Sequence, residues 1–375
     1  MIKTKRVQAR KLDVGYNYES KIESKKKSLK KILSPSDYRL VEKYDTVMVV
    51  GSLKLATRTK NLEIILSLSR MLSKKSWIAL TRDDINHLVS VVMMSYSSNG
   101  EETNTTYDHK KILKIFFRWL KLGSREKNVV GDPPEVQDVK CKQVADKLVR
   151  ESLITSEDLK KMLEHCFTLR DKAFIHVHYE SGTRAGDILS LQIKHVSSDK
   201  YGMKIAVDGK TGARPIRLVE SVPSLAKYLE GHPFNDDPES PLWINLGNQD
   251  YGEPLQYAAA NKLLKAAARR AGIKKRVYLH LFRHSAATRG VSYMGESIMR
   301  KRYGWSATSK MPSKYAHITQ EDVESAVLGH YGIKQDSKTE ARVPKICPIC
   351  TNPNAFDSDM CDRCGKPLTV EKAIL

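Results

Sequence analysis

The chain has 375 residues, of which 41% are hydrophobic and 29% charged, a composition typical of a globular protein in solution. A chain of this length can form two or three domains that each bury a core. It contains no run of eighteen apolar residues and no charged-then-apolar leader with a cleavage site, so we expect no membrane span and a cytoplasmic location.

The strongest compositional signal is the charge. The sequence has 64 Lys and Arg against 43 Asp and Glu, a formal net charge of +21 and a pI of about 9.6. A solubilising basic surface is the plain explanation, but an excess of this size favours a polyanionic partner. Nucleic acid is the commonest such partner, because phosphates bind cations by releasing condensed counterions.

The chain begins with a basic segment and continues with helical patterns. The first 45 residues contain thirteen Lys or Arg and six Asp or Glu, and we interpret residues 1–35 as a solvated, partly ordered basic arm. From residue 36 to about residue 130 the spacing is helical, and Thr81 is a predicted N-cap. Apolar side chains recur on single helix faces at Leu62, Ile65, Leu68 and Leu72 and at Ile112, Phe116 and Leu120. The paired prolines in "GDPPEVQD" predict a linker after this bundle.

A second composition starts near residue 140, where helical segments alternate with short strand-forming runs. The clearest strand pair is "YGMKIAVDGKTGARPIRLV", two β-prone runs around the turn "DGKTG", with Lys210 near the tip. From residue 256 to about Gly332 the pattern is helical again. The fold class expected for the whole chain is therefore α+β and mostly helical.

Two stretches place arginine where an anion could bind. In "SGTRAGDILSLQ", Arg184 falls in a first helical turn, where backbone N–H groups favour an anion, and Asp187 one turn later could orient it. In "LHLFRHSAATRG", His280 and Arg283 share a helix face; a guanidinium fork matches phosphate oxygens, and an imidazole exchanges a proton near neutral pH. A surface arginine and a packed histidine are the plain alternatives. His284 and, further on, His317 are given no catalytic role.

Taken together, the order of six residues resembles that of the tyrosine recombinase (phage integrase) family: Arg184, Lys210, His280, Arg283, Trp305 and Tyr315. "YESGTRAGDILSLQIKHV" is similar to its first arginine box, "LHLFRHSAATRG" to its His–x–x–Arg box, and "RYGWSATSKMPSKYAHITQEDVESAVLGHYGI" to the nucleophile box of archaeal members. The resemblance covers residues 36–333. It implies a SAM-like core-binding domain at 36–135, ending "FFRWLKLG", and a mixed α/β catalytic domain at 145–335.

The resemblance also implies a role for each residue. Tyr315 would attack the DNA phosphate and form a 3′-phosphotyrosine, while Arg184 and Arg283 stabilise the charge on five-coordinate phosphorus. His280 would take the tyrosine proton and Lys210 would protonate the leaving 5′ oxygen. Trp305, which stands where many members have histidine, would pack against the site. This chemistry needs neither metal nor ATP, and the expected assembly is a homotetramer on paired sites in double-stranded DNA.

Two other functions stay open. A monomeric type IB topoisomerase shares the nucleophile and the arginines and would relax supercoiled DNA. A non-catalytic DNA-binding protein could use the same basic surface. The helical amino-terminal domain and the Tyr315 box favour a site-specific recombinase over the first alternative, and the complete residue set favours it over the second.

The tail "CPICTNPNAFDSDMCDRCGKPL" contains two C–x–x–C pairs with ten residues between them: Cys347, Cys350, Cys361 and Cys364. Four thiolates form a closed tetrahedral zinc site, whereas disulfides or free thiols are the alternative. We expect a structural Zn²⁺ in a ribbon at residues 340–375, because so short a segment needs the metal's binding energy to fold. It is similar to zinc ribbons appended to archaeal integrases, and it could contact DNA or another protomer.

Overall fold

The computed structural model describes residues 18–72, 75–144, 150–209, 212–315, 344–354 and 358–368, together with positions 324, 327, 328, 331 and 356. The chain divides between residues 147 and 148 into two compact units. No helix within the described ranges combines the length and the apolar character that crossing a membrane requires.

The first unit is helical. Its helices are α1 (Tyr18–Ile32), α2 (Pro35–Val50), α3 (Leu55–Met71), α4 (Arg82–Tyr96), α5 (Asn104–Leu122) and the short α6 (Lys127–Val130). Local sequence sets their starts. The Ser34 hydroxyl accepts the N–H of Asp37 ahead of α2, and Thr81 and Asp84 form a capping box at α4. The predicted N-cap at Thr81 is therefore confirmed.

The core of the first unit is formed by aromatic rings and by the aliphatic faces predicted from the sequence. Phe116 lies edge-on to Trp77 and to Tyr44, with ring centroids 5.2 and 5.0 Å apart. Most of the predicted apolar positions are buried and two are partly buried; these are Leu62, Ile65, Leu68, Ile112 and Phe116, and then Leu72 and Leu120. The helical spacing therefore identified the packed faces.

The expectation of a solvated basic arm does not hold for Tyr18–Ile32. This segment is helix α1, which packs on α3, and its Ile22 and Leu29 side chains are buried in the core of the first unit. Two apolar residues seven positions apart lie on one helix face, and that face is enough to dock the helix despite its many lysines. Residues 1–17 of the predicted arm lie outside the described residues.

The second unit combines helices with a small sheet. Its helices are α7 (Ser156–Glu164), α8 (Leu169–Ser181), α9 (Ala185–Leu189), α10 (Val222–Glu230), α11 (Tyr257–Arg270), α12 (Leu279–Gly290), α13 (Glu296–Tyr303) and α14 (Met311–Tyr315). Strands β1 (Val196–Asp199), β2 (Gly202–Gly209) and β3 (Gly212–Leu218) are antiparallel, in the order β1-β2-β3. The predicted hairpin and the mostly helical α+β class are confirmed. Lys210, predicted near the tip of this hairpin, lies outside the described residues.

A stack of rings fixes helix α12, which carries much of the site. The His178 ring of α8 lies between Phe174 and Phe282, with centroid distances of 5.8 and 5.5 Å. Its Nε2–H donates to the Leu279 carbonyl at the start of α12, at 2.9 Å. Burial lowers the pKa of His178 to about 4, so the ring is neutral at physiological pH. The first turn of α12, which contains His280, is thus anchored by the His178 N–H.

The carboxy-terminal ribbon belongs to the second unit. Strands β4 (Lys345–Ile346) and β5 (Pro353–Asn354) pair antiparallel. The ribbon contacts α10 through β5 and through an ion pair in which Arg363 Nη2 lies 2.6 Å from Glu230 Oε1. The short tail is therefore supported by the helical body as well as by its own turns.

Candidate active site

Five of the six residues predicted for the site lie in the described part of the second unit, on neighbouring elements. Arg184 is the N-cap of α9, His280 and Arg283 lie in the first turns of α12, Trp305 follows α13, and Tyr315 ends α14. The sixth residue, Lys210, and also His317, lie outside the described residues.

Arg283 is buried and held by two backbone carbonyls. Only 2% of the residue is exposed. Its Nη1 donates to the Gly182 carbonyl at 3.0 Å and its Nη2 to the Tyr303 carbonyl at 2.6 Å. Burial, and next the charge of Arg184, lower the pKa of Arg283 to about 10, so the guanidinium stays charged at neutral pH. The structure thus fixes one permanent positive charge against the turn before α9.

Arg184 shares the same anchoring segment. Its Nη2 donates to the Gly304 carbonyl at 2.6 Å, directly after the carbonyl that Arg283 uses. Its Nη1 lies 3.8 Å from Asp187 Oδ2, and this buried nitrogen has no hydrogen-bond partner. An unpaired buried guanidinium N–H is costly unless a ligand accepts it. The arrangement therefore suits an anion that binds next to Arg184.

Gly182 allows the turn before Arg184 to pack closely against Ala286 and Tyr303. Replacing this glycine tests the packing. Its φ is +59°, and an added Cβ would lie 2.6 Å from Ala286 Cβ and 2.8 Å from Tyr303 Cε1. We expect Gly182→Ala to lower the free energy of unfolding by at least about 2 kcal/mol, from left-handed strain and overpacking together. Urea denaturation followed by tryptophan fluorescence measures this. Gly186→Ala is the matched control, because its added Cβ meets no atom within 4 Å; equal losses in both variants would contradict the prediction.

Tyr315 is buried against Trp305. The residue is 2% exposed, and its ring stacks on the indole with centroids 5.6 Å apart and planes inclined by 8°. The other neighbours of the indole are the Tyr303 ring, at 5.2 Å, and the Arg283 guanidinium, whose Cζ lies 5.5 Å from the indole centroid. Trp305 therefore forms the wall that brings the phenol and the buried guanidinium into one site.

The Tyr315 hydroxyl contacts His284, a histidine for which the sequence predicted no catalytic role. Its oxygen lies 2.7 Å from Nδ1 of His284, and the His284 ring meets the His280 ring edge to face at 4.5 Å. His284 is one helical turn beyond His280 and shares its face of α12. The pattern "HLFRH" contained both imidazoles, but the spacing alone could not say which one lies on the tyrosine side.

Comparison with known proteins identifies the unit that carries this site. Residues 152–322 match the phage integrase family. The second unit therefore contains a phage integrase domain. For this region the resemblance to the tyrosine recombinase (phage integrase) family is confirmed, and with it the expectation of a tyrosine recombinase enzyme.

One relative of this chain aligns over a longer range than the phage integrase domain. Transposase A from transposon Tn554 of Staphylococcus aureus is 24% identical over 271 residues, which cover 68% of this chain and 71% of that protein. A tyrosine recombinase from Synechococcus elongatus is 30% identical over 131 residues, 34% of this chain and 41% of that protein. These alignments show that the chain is similar to a transposase and to a tyrosine recombinase.

Solved structures confirm the fold. A lambda integrase dimer bound to a COC′ core site superposes with a TM-score of 0.58 at 14% identity, covering 80% of this chain and 79% of that one. The XerH site-specific recombinase bound to difH gives 0.55 at 15% identity, covering 86% and 97%. Because these alignments extend well beyond the phage integrase domain, they also include part of the first unit.

The phage integrase domain contains a further charged residue that the sequence reading missed. Arg214 of β3 is buried, and its Nη2 donates to Asp187 Oδ2 at 3.2 Å. A signal was available: Arg214, Ile216 and Leu218 alternate along β3 and are all buried, so a charge occupies an inward position of the strand. An inward-facing arginine in a hairpin therefore marks a candidate site residue.

The four tail cysteines could hold a metal ion. Their sulfur atoms all lie within 4.8 Å of one another, and none of the four is in a disulfide. The sulfurs of Cys347 and Cys364, and those of Cys350 and Cys361, are each 3.6 Å apart. Tetrahedral Zn–S bonds of about 2.3 Å would place the sulfurs roughly 3.8 Å apart, so the cluster has the dimensions of a four-thiolate zinc site.

Proposed function

We propose that this chain is a site-specific DNA recombinase that breaks and rejoins strands through a 3′-phosphotyrosine on Tyr315. The observation that carries the proposal is the contact of the Tyr315 hydroxyl with an imidazole, 2.7 Å away, inside a site with buried guanidinium groups. A nucleophile, a proton acceptor and fixed positive charge are the parts that phosphoryl transfer to a side chain requires.

In the proposed reaction, the scissile phosphate binds to Arg184 and Arg283. His284 takes the proton of Tyr315 through Nδ1, and the phenolate oxygen attacks phosphorus. The bond from phosphorus to the 5′ oxygen breaks, and Lys210, which the family resemblance places near this oxygen, supplies its proton. The guanidinium groups stabilise the charge that gathers on the non-bridging oxygens. A 5′ hydroxyl of another strand then attacks the phosphotyrosine and rejoins the DNA, so the bond energy is conserved without ATP.

The remaining site residues support the nucleophile. Trp305 stacks on the Tyr315 ring and restricts its orientation, and its indole N–H is a donor of the right type for a phosphate oxygen. His280, which meets His284 edge to face, is proposed as a second hydrogen-bond donor to the phosphate. Tyr315 is thereby oriented by the indole of Trp305 and by the imidazole of His284.

The assignment of the proton acceptor gives a prediction. His284→Gln should slow single-turnover cleavage by about 10²–10⁴-fold, because a positioned general base contributes that much. His280→Gln should cost less, because the 2.7 Å contact with the hydroxyl is made by His284. His165→Gln, an exposed position at the end of α7, is the control. A larger loss in His280→Gln than in His284→Gln would return the role to His280.

The proposed partner is double-stranded DNA, and the proposed assembly is a homotetramer on two paired sites. The net charge of +21 supports a DNA partner. A lambda integrase tetramer bound to a Holliday junction shares the fold, with a TM-score of 0.57 and coverage of 74% of this chain and 76% of that one. We place the protein in the cytoplasm. The archaeal affiliation stays a prediction from the nucleophile box alone.

Recombination and topoisomerase-like relaxation can be separated by experiment. DNA sites are first selected by binding from a genomic library, and two copies of one site are then placed in a supercoiled plasmid. We expect deletion or inversion between the copies, depending on their orientation, and no product from a plasmid with scrambled sites. Efficient relaxation of the scrambled plasmid without recombinants would favour the topoisomerase, and binding without either product would favour a non-catalytic protein.

We further propose that the cysteine cluster binds one structural Zn²⁺. We expect one zinc per chain by mass spectrometry of the metal, and loss of that zinc in Cys361→Ser, because three thiolates no longer close the tetrahedron. Cys166→Ser, outside the cluster, is the control and should retain it. Chelation should also expose residues 344–368 to proteolysis, since metal binding supplies the folding energy of short ribbons. Full folding and protease resistance without metal would contradict the zinc assignment.

A further inference from the structure

Arg214 is buried, unlike an ordinary surface arginine of a β-hairpin. The residue is 8% exposed and lies opposite Val207 in the β2–β3 ladder, on the inward face of β3. Arg217, three residues later, is on the outward side of the strand and pairs with the exposed Asp199. Burying a guanidinium is unfavourable unless it is paired and hydrogen-bonded, so the partners of Arg214 indicate its use.

The partners of Arg214 belong to the active site. Its Nε donates to the Arg302 carbonyl at 3.1 Å. The next carbonyl, of Tyr303, accepts Arg283, and the one after it, of Gly304, accepts Arg184. Three consecutive carbonyls at the end of α13 thus each bind one guanidinium. The carbonyl end of a helix favours positive charge, which accounts for the gathering of the three groups there.

The cluster of guanidinium groups contains nitrogen donors that have no hydrogen-bond acceptor. Asp187 Oδ2 lies 3.2 Å from Arg214 Nη2 and 3.8 Å from Arg184 Nη1, so the two guanidinium groups flank one carboxylate oxygen. Nη1 of Arg214 and Nη1 of Arg184 are both buried and without a hydrogen-bond partner. Two unsatisfied N–H groups beside a shared carboxylate are expected where a ligand supplies the missing acceptors.

The charges point to the same kind of ligand. Three guanidinium groups and the Asp187 carboxylate leave two uncompensated positive charges in this cluster. The pKa of Arg283 is lowered first by burial and then by Arg184, with Arg214 contributing in the same direction. An anion would relieve that repulsion. A phosphodiester carries one negative charge and gains a second on its non-bridging oxygens as five-coordinate phosphorus forms, so the cluster matches the transition state better than the ground state.

We propose that Arg214 is a third guanidinium of the scissile-phosphate site, and that its Nη1 donates to a non-bridging oxygen beside Nη1 of Arg184. The assignment rests on the proposed function, because the anion is the phosphate that Tyr315 attacks. In this role Arg214 touches the reacting group directly, while its bond to Asp187 also holds that carboxylate away from the phosphate.

The test compares two DNA substrates with Arg214→Gln, Arg214→Lys and the control Arg217→Gln. One substrate has the native phosphodiester, and the other has a methylphosphonate at the scissile position, which removes one non-bridging charge. The readout is the ratio of the two rates of covalent-adduct formation within one preparation. A misfolded fraction lowers both rates equally and cancels in this ratio.

For Arg214→Gln we expect the native rate to fall by about 10²-fold, the usual loss for one transition-state donor, and the methylphosphonate rate to change little. The ratio therefore falls by about 10²-fold, less in Arg214→Lys, and stays constant in Arg217→Gln. If both rates fall equally in the Arg214 variants, the residue only supports the fold and the inference is wrong. If wild-type protein forms no adduct with the native substrate, the proposed function itself fails.

Discussion

Tyr315→Phe is expected to abolish covalent attachment to DNA while leaving the fold intact. Phenylalanine keeps the ring that stacks on Trp305 at 5.6 Å and removes only the hydroxyl that contacts His284. The loss in stability should be about 1 kcal/mol, the net contribution of one hydrogen bond. The loss in activity should be complete, because no other atom at this position can bond to phosphorus. Trapping on a suicide DNA substrate, resolved by denaturing electrophoresis, measures the effect.

Two matched variants control for the loss of a tyrosine hydroxyl. Tyr293→Phe removes an exposed hydroxyl from the same domain. Tyr303→Phe removes a buried one that donates to the Ala286 carbonyl at 2.7 Å, behind the Trp305 wall. Both should still form the adduct, with Tyr303→Phe slower because the wall loses a tether. An adduct that persists in Tyr315→Phe would assign the nucleophile to another residue.

Arg283→Ala should produce the second large effect, a loss of about 10²–10³-fold or more in the single-turnover cleavage rate at saturating DNA. The guanidinium supplies charge to the transition state, and it also ties the Gly182 turn to the carbonyl of Tyr303. Removing it leaves two buried carbonyls without these donors, so stability should fall by about 1–3 kcal/mol as well.

Arg283→Lys separates the two effects. An ammonium group keeps the charge, but a single nitrogen cannot hold both carbonyls and still present the planar fork to phosphate. We therefore expect a cleavage rate well below that of wild type at a smaller cost in stability. Arg269→Ala, exposed on α11, is the control and should cleave normally once DNA is saturating. Near-normal cleavage in Arg283→Ala would mean that the phosphate binds elsewhere.

Sequence patterns predicted the part of the site that local geometry determines. The three-residue spacing of His280 and Arg283 predicts a shared helix face, and both residues lie in α12. The order of the six residues then indicated the family, which the comparisons confirm. These features depend on a few neighbouring residues, and so they can be read from the chain alone.

Other features depend on contacts between distant segments. The buried position of Arg214 depends on the Arg302 carbonyl, almost ninety residues away, and on the register that turns its side chain inward. The contact between His284 and the Tyr315 hydroxyl depends on where α14 places Tyr315. The segment that forms helix α1 was predicted to be a solvated arm, because its lysines outnumber the two apolar residues that pack into the core. In each case tertiary packing determines a position that the local sequence does not determine.

The most direct measurement of the central claim is the identity of the amino acid joined to DNA. The adduct trapped on a suicide substrate is digested with nuclease and trypsin, and the modified peptide is fragmented by mass spectrometry. Cleavage after Lys314 releases a peptide that begins at Tyr315 and also contains Tyr331, so fragmentation distinguishes the two. We predict that Tyr315 carries a nucleotide joined to its hydroxyl oxygen through the 3′ phosphate. Attachment to Tyr331 or to any other residue, or linkage through a 5′-phosphate, would contradict the mechanism.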